Sequence, residues 1–239
     1  MFHPTVARLT YRGLLGRRRA LLLLGLPLLL LIIVSVVRTL AGADDTTAGD
    51  LLQGFALSVM VPLVGVIAGT GAIGPEVDDG AIVYLLAKPV RRSTIIATKL
   101  IVAIGVTAAF SAIPTLLAGY VLNGNGQNLA VAFAVAAAVA SVAYAAIFLM
   151  LGVITRHAVI VGLVYALVWE SVIGSVVPGA RALSVQQWAL AVAEKISGGD
   201  LVASAVSLPT ATVLLVLTTA AATWFAVRRL RTLTLTGEE

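Results

Sequence analysis

Two places in this chain concentrate side chains able to do chemistry. Glu76-Val77-Asp78-Asp79-Gly80 sets carboxylates side by side, and Glu170 stands alone after Trp169 in an otherwise apolar run. Clustered carboxylates can hold a divalent metal for phosphoryl transfer, but the further downstream aspartates that such membrane enzymes use are missing. His3 and His157 stand apart and outside any metal-ligand spacing such as His-Glu-x-x-His. There is no Gly-x-Ser-x-Gly elbow, and Gly-Lys occurs nowhere, which excludes a phosphate-cradling P-loop. With no cysteine, thiol catalysis, thiolate metal sites and disulfides are excluded as well. Glu170 is a different case. An ionised side chain inside an apolar span costs at least about 2.5 kcal/mol, so it must face the bundle or a water-filled cavity. It is either a substrate or proton site, or a structural hydrogen-bonding group near the outer end of its span.

The acidic cluster opens a segment that continues to Arg92. Ile82, Leu85 and Leu86 recur at helical spacing with Val83 and Tyr84 beside them, Glu76, Asp78 and Asp79 fall in the first turn where carboxylates favour the positive dipole end, and Pro89 stops the run. The spacing predicts a short amphipathic helix. It is too charged to cross a bilayer, so its apolar face needs a partner.

These elements are positioned by the rest of the chain, which is built for lipid. Of 239 residues, 60% are hydrophobic and 11% charged, against roughly 25% charged in soluble domains. A span needs about 20 apolar residues, and six stretches qualify: Ala20 to Val37, Leu51 to Ile73, Ile95 to Leu122, Leu129 to Ile154, Ala158 to Val177 and Leu208 to Val227. The first follows Arg17-Arg18-Arg19 and precedes Ala41-Gly42-Ala43, as in a signal peptide. It exceeds the roughly 7–15 residues of a signal's apolar region, and Arg38 intervenes, so it is read as a span. The expected fold is an all-α membrane protein with residues 1–239 as one transmembrane domain. Residues 1–19 form an N-terminal interfacial helix with Phe2, Val6, Leu9 and Gly13 on one side, residues 75–94 a cytoplasmic loop between spans 2 and 3, and residues 178–209 an outer loop. A short helix in that outer loop would group Val185, Trp188, Ala189, Val192 and Ile196. Gly65 and Gly69 form a Gly-x-x-x-Gly pair, and Ala130 to Ala146 offers a second smooth surface; both favour close helix packing.

Charge gives the orientation. Arg8, Arg12, Arg17, Arg18, Arg19, Lys88, Arg91, Arg92, Lys99, Arg156, Arg228, Arg229 and Arg231 fall on one side, and Arg38, Arg181 and Lys195 on the other. Basic residues concentrate on the cytoplasmic side, which predicts a multi-pass cell-membrane protein with both termini in the cytoplasm. The bases are spread over span ends rather than gathered in one patch with aromatic residues, so the net charge of +5 implies no nucleic-acid partner. The anionic face of the lipid bilayer is the counterpart.

From Gly74 to Lys99 the chain resembles the permease subunits of type-2 ABC exporters. The resemblance rests on Glu76 after the second span, Gly80, Tyr84-Leu85-Leu86, Lys88-Pro89-Val90-Arg91-Arg92 and Lys99 opening the third span; Ala81 stands where many members carry Thr. It implies that the loop is a coupling helix docking on a separate ABC ATPase, with Glu76, Asp79, Gly80, Ile82, Tyr84, Leu85, Leu86 and Pro89 as the coupling residues. It also implies a second permease copy, identical or related, and ATP with Mg held by the ATPase while this chain binds no cofactor and catalyses nothing. Ile196-Ser197-Gly198-Gly199-Asp200 is similar to the ABC ATPase signature but, without a P-loop, reads as a Gly-rich turn. The alternative function is a secondary transporter or channel driven through Glu170. Topology can be tested with single cysteines in this cysteine-free chain: an impermeant thiol reagent on intact cells is expected to label Asn125→Cys but not Arg91→Cys, and labelling at position 91 would overturn the assignment.

Overall fold

Backbone groups in lipid have no water to bond, so apolar runs of this length must fold as helices. The computed structural model describes residues 3–42, 44–74, 76, 92–173, 178–197 and 201–232, and every regular element among them is helical. In chain order these are α1 (Pro4–Leu14), α2 (Arg17–Ala41), α3 (Asp45–Leu51), a π-helical segment (Leu52–Met60), α4 (Val61–Gly71), α5 (Arg92–Asn123), α6 (Leu129–Ile154), α7 (Ala158–Val164), a second π-helical segment (Tyr165–Ile173), α8 (Pro178–Arg181), α9 (Val185–Ile196) and α10 (Leu208–Thr232). Five helices among the described residues are long and apolar enough to cross a membrane: Arg19–Leu40, Asp45–Gly71, Arg92–Asn123, Gly126–Ile154 and Leu208–Leu230. The run expected to cross as Ala158 to Val177 is described only as far as Ile173, and its apolar helix Ala158–Glu170 is shorter.

The boundaries differ from the sequence expectation where local chemistry intervenes. The N-terminal helix does not reach residue 19: Gly16, with ψ of 143°, breaks it, and Arg17 opens α2 instead. The buried face of α1 is Val6, Thr10 and Leu14, while Leu9 is exposed. The second span starts at Asp45 rather than Leu51. Asp44 caps it, accepting from the Thr47 amide at 3.0 Å and from the hydroxyls of Thr46 and Thr47, so the polar residues become a first turn. Between α5 and α6 the chain reverses through four left-handed residues, Gly124, Asn125, Gln127 and Asn128, and glycine and asparagine carry this conformation at low cost.

α6 lies at the centre, against α4, α5, α9 and α10. Lipid tails are as apolar as leucine, so what holds these helices together is close packing rather than escape from water. Small residues make that approach possible. A Cβ on Gly65 would lie 2.9 Å from the Tyr144 Cβ, and one on Gly69 would lie 2.6 Å from the Phe148 Cβ. The Gly-x-x-x-Gly pair thus packs on α6 of the same chain. Gly119 of α5 is tighter still, its would-be Cβ 2.5 Å from the Cβ and 2.6 Å from the Cα of Ala130, where backbone cannot yield. Gly119→Ala is therefore expected to cost roughly 1–3 kcal/mol and to lower the thermal midpoint in detergent. Gly25→Ala, which meets nothing within 4 Å, should leave it unchanged; equal midpoints for the two variants would mean that the α5–α6 contact is looser than described.

Candidate functional site

Lys99 sits two turns into α5, on the face that also buries Ile95, Ile96 and Ala103, and its side chain is fully buried. A buried ammonium needs an acceptor for each of its three protons. They come from three elements. The Ala72 carbonyl, just past α4, accepts at 2.6 Å; Glu76 Oε1 accepts at 2.8 Å, with Oε2 2.7 Å from the same nitrogen; and Thr10 Oγ1 of α1 accepts at 3.4 Å. α1 is held to α5 a second time by the His3 amide, which donates to Thr98 Oγ1 at 3.1 Å. Glu76 and Lys99 thus form an ion pair at the root of the charged loop, about a third of the Glu76 side chain remaining exposed. At the loop's other end Arg92 Nη1 donates to the Leu230 carbonyl of α10 at 2.5 Å. Of the loop residues singled out by sequence, Glu76 is therefore placed, whereas Asp79, Gly80, Ile82, Tyr84, Leu85, Leu86 and Pro89 lie outside the described residues. In the sequence Lys99 is marked as a base opening the third span and nothing marks Thr10; the acid and base at the two ends of one loop, Glu76 and Lys99, are the signal for the pair.

Glu170 lies at the opposite end of the bundle, fully buried within the second π-helical segment. Both of its oxygens are engaged. Oε1 accepts from the Tyr165 hydroxyl at 3.0 Å and the Val185 amide at 3.1 Å; Oε2 accepts from the Ser184 hydroxyl at 2.5 Å and the Gln186 amide at 3.4 Å. The amides are the first of α9, which in an isolated helix have no partner, and a carboxylate at that position complements the helix dipole. Ser184 caps the same helix, accepting from the Gln187 amide at 3.4 Å. Gln186 extends the contact by donating from Nε2 to Ser58 Oγ at 2.5 Å, on the first π-helical segment. Ser184-Val185-Gln186-Gln187 has the form of a capping box, the sequence signal for the start of α9. With two donors on each oxygen the carboxylate is occupied as an anchor for α9, which favours the structural role over a proton or substrate site. Among the described residues no His, Asp and Glu cluster could hold a metal.

A family model described as ABC-2 family transporter protein matches residues 16–227. No curated protein matches the chain.

The anchoring role of Glu170 predicts graded stability. In Glu170→Gln the amide oxygen still accepts, but its NH2 faces a backbone donor, for an expected loss of about 1–2 kcal/mol. Glu170→Leu leaves every donor without its acceptor and should cost about 3 kcal/mol or more, summed over the buried donors it strands. Thermal unfolding of purified protein checks the order, and a Gln variant as unstable as the Leu variant would contradict it.

Proposed function

The chain belongs to the ABC-2 transporter family, and we propose that it is the membrane subunit of an ATP-driven exporter, coupled through the loop after α4 to a separate ABC ATPase. The family match makes it a transport permease and a multi-pass membrane protein. The finer assignment is carried by the Lys99 site: the loop that would dock on an ATPase begins at a residue bonded to a lysine that also holds α1 and the end of α4.

The mechanism follows from that bonding. ATP and Mg are bound by the ATPase, and its closure would displace the loop. Breaking a buried ion pair by removing one partner costs roughly 3–5 kcal/mol, somewhat less here because Glu76 is partly exposed. The pair is therefore stiff on the scale of thermal energy, and a pull on Glu76 moves α1, α4 and α5 together rather than detaching the loop. A second copy, identical or related, would complete the substrate pathway, and both termini would lie with the loop in the cytoplasm as the arginine bias requires. Glu170, already occupied by four donors, serves the fold rather than an ion gradient.

Docking would depend on buried anchors such as Tyr84 and Leu85 more than on rim charges. Leu85→Asp is expected to abolish co-purification of the ATPase, or to leave bound ATPase hydrolysing without transport, while membrane insertion and the thermal midpoint stay normal. Wild-type ATPase binding together with wild-type transport in that variant would remove the loop from the mechanism.

A further inference from the structure

At the Lys99 end of the bundle, the start of α2, the end of α4 and the start of α7 enclose a groove of 610 Å³. Its lining changes character with depth. Arg19 lies in the first turn of α2, Gly74 lies past the end of α4, and Arg156 and His157 precede α7, so these form the rim. Leu22, Ile67 and Ile160 lie on the same helices farther toward the middle of the bundle. From Ile67 to Gly74 a helical rise spans about 10 Å, which covers the roughly 6 Å headgroup layer of a bilayer and the start of its hydrocarbon.

The rim is basic and its donors are available. Arg19 Nη1 donates to the Gly71 carbonyl at 3.1 Å, which fixes the guanidinium at the mouth of the groove while the rest of its donor fork remains. Arg156 and His157 are exposed, and no acid lines the groove among the described residues. The described acid nearest in sequence, Glu76, is taken by Lys99. The wall is apolar and open to the side: Val159 is 53% and Ile160 61% exposed. A free phosphate would satisfy the rim and leave that wall without purpose, whereas an amphiphile with an anionic head uses both. We propose that this groove binds an anionic phospholipid from the adjoining leaflet, its phosphate held by Arg19 and Arg156 and its acyl chain lying over Leu22, Ile67 and Ile160.

The test uses the full-length chain purified in detergent, titrated with phosphatidylglycerol, phosphatidylcholine or soluble glycerol phosphate. Bound lipid is counted by native mass spectrometry and the thermal midpoint is recorded in parallel. Phosphatidylglycerol is expected to bind and to raise the midpoint, phosphatidylcholine to bind more weakly, and glycerol phosphate to have little effect. Arg156→Gln touches no described partner, so folding should survive; its affinity for phosphatidylglycerol should fall on the order of fivefold, the worth of one basic residue at an anionic surface. Arg156→Glu should lose more. Unchanged phosphatidylglycerol binding by Arg156→Glu, equal binding of the two lipids by the wild type, or stabilisation by glycerol phosphate equal to that by the lipid would each overturn the proposal. None of these readouts involves an ATPase, so the outcome is independent of the coupling assignment.

Discussion

A helix ends with carbonyls and amides that have no partner within the helix, and in this chain long charged side chains from neighbouring helices bond them. Arg19 of α2 donates to the Gly71 carbonyl that ends α4, and Lys99 of α5 to the next one, Ala72. Arg38 of α2 donates to Leu122 near the end of α5, and Arg92 of α5 to Leu230 near the end of α10. Glu170 is the inverse case, a carboxylate that accepts the first amides of α9. Each cation meets the negative end of a helix dipole and the anion meets a positive end, an interaction worth about 0.3–2 kcal/mol according to burial.

These bonds give the basic residues a second purpose. Counted by side, Arg19, Arg92 and Lys99 belong to the basic excess from which the sequence predicts orientation. Counted by partner, they tie helices that are distant in sequence, Arg92 to Leu230 above all. The tie works because a guanidinium or ammonium can stay near the membrane boundary while its stem lies along apolar neighbours. α5, at 32 residues, would be about 48 Å long, well beyond a hydrocarbon layer of about 30 Å. A helix of that length must tilt or extend beyond the apolar layer, and Arg92 and Lys99 make its first turns the polar end.

Much of this was legible from the sequence because burial in lipid and helical periodicity are local properties. α6 occupies Leu129 to Ile154 as its alanine-rich run implies, and the Gly-Asn turn before it falls where polar residues interrupt the apolar pattern. Ends were less legible. Asp44 acts through its hydrogen bonds to Thr46 and Thr47 and Gly16 through one dihedral angle, which hydropathy does not register. Partnership was least legible. Nothing near Gly65 in sequence names Tyr144, and nothing near Lys99 names Thr10, because these pairs arise only when the helices assemble. Glu170 was conspicuous as a lone acid, but its purpose depended on Ser184 and the amides that follow it.

The two π-helical segments account for how the end of the bundle near Glu170 is closed. Pro62 has no amide to return to the carbonyl of Ser58, so a regular α-helix could not run unbroken there, and the π segment Leu52–Met60 stands immediately before it. Bonding from i to i+5 widens the turn and shifts the register by a residue, and it occurs again at Tyr165–Ile173. The two wide segments touch. α9 is fastened to both, by Gln186 to Ser58 on the first and by Ser184, Val185 and Gln186 to Glu170 on the second. This end is thus closed by short polar bonds among three adjacent elements, and Arg38 also reaches across it to the Leu122 carbonyl, whereas Arg19, Arg92 and Lys99 tie the other end. Between them Gly65 and Gly69 of the second span meet Tyr144 and Phe148 of α6, and Gly119 of α5 meets Ala130, in close apolar packing. Relative motion of the two ends would then have to break bonds at the caps and unseat the close packing of α6 against α4 and α5.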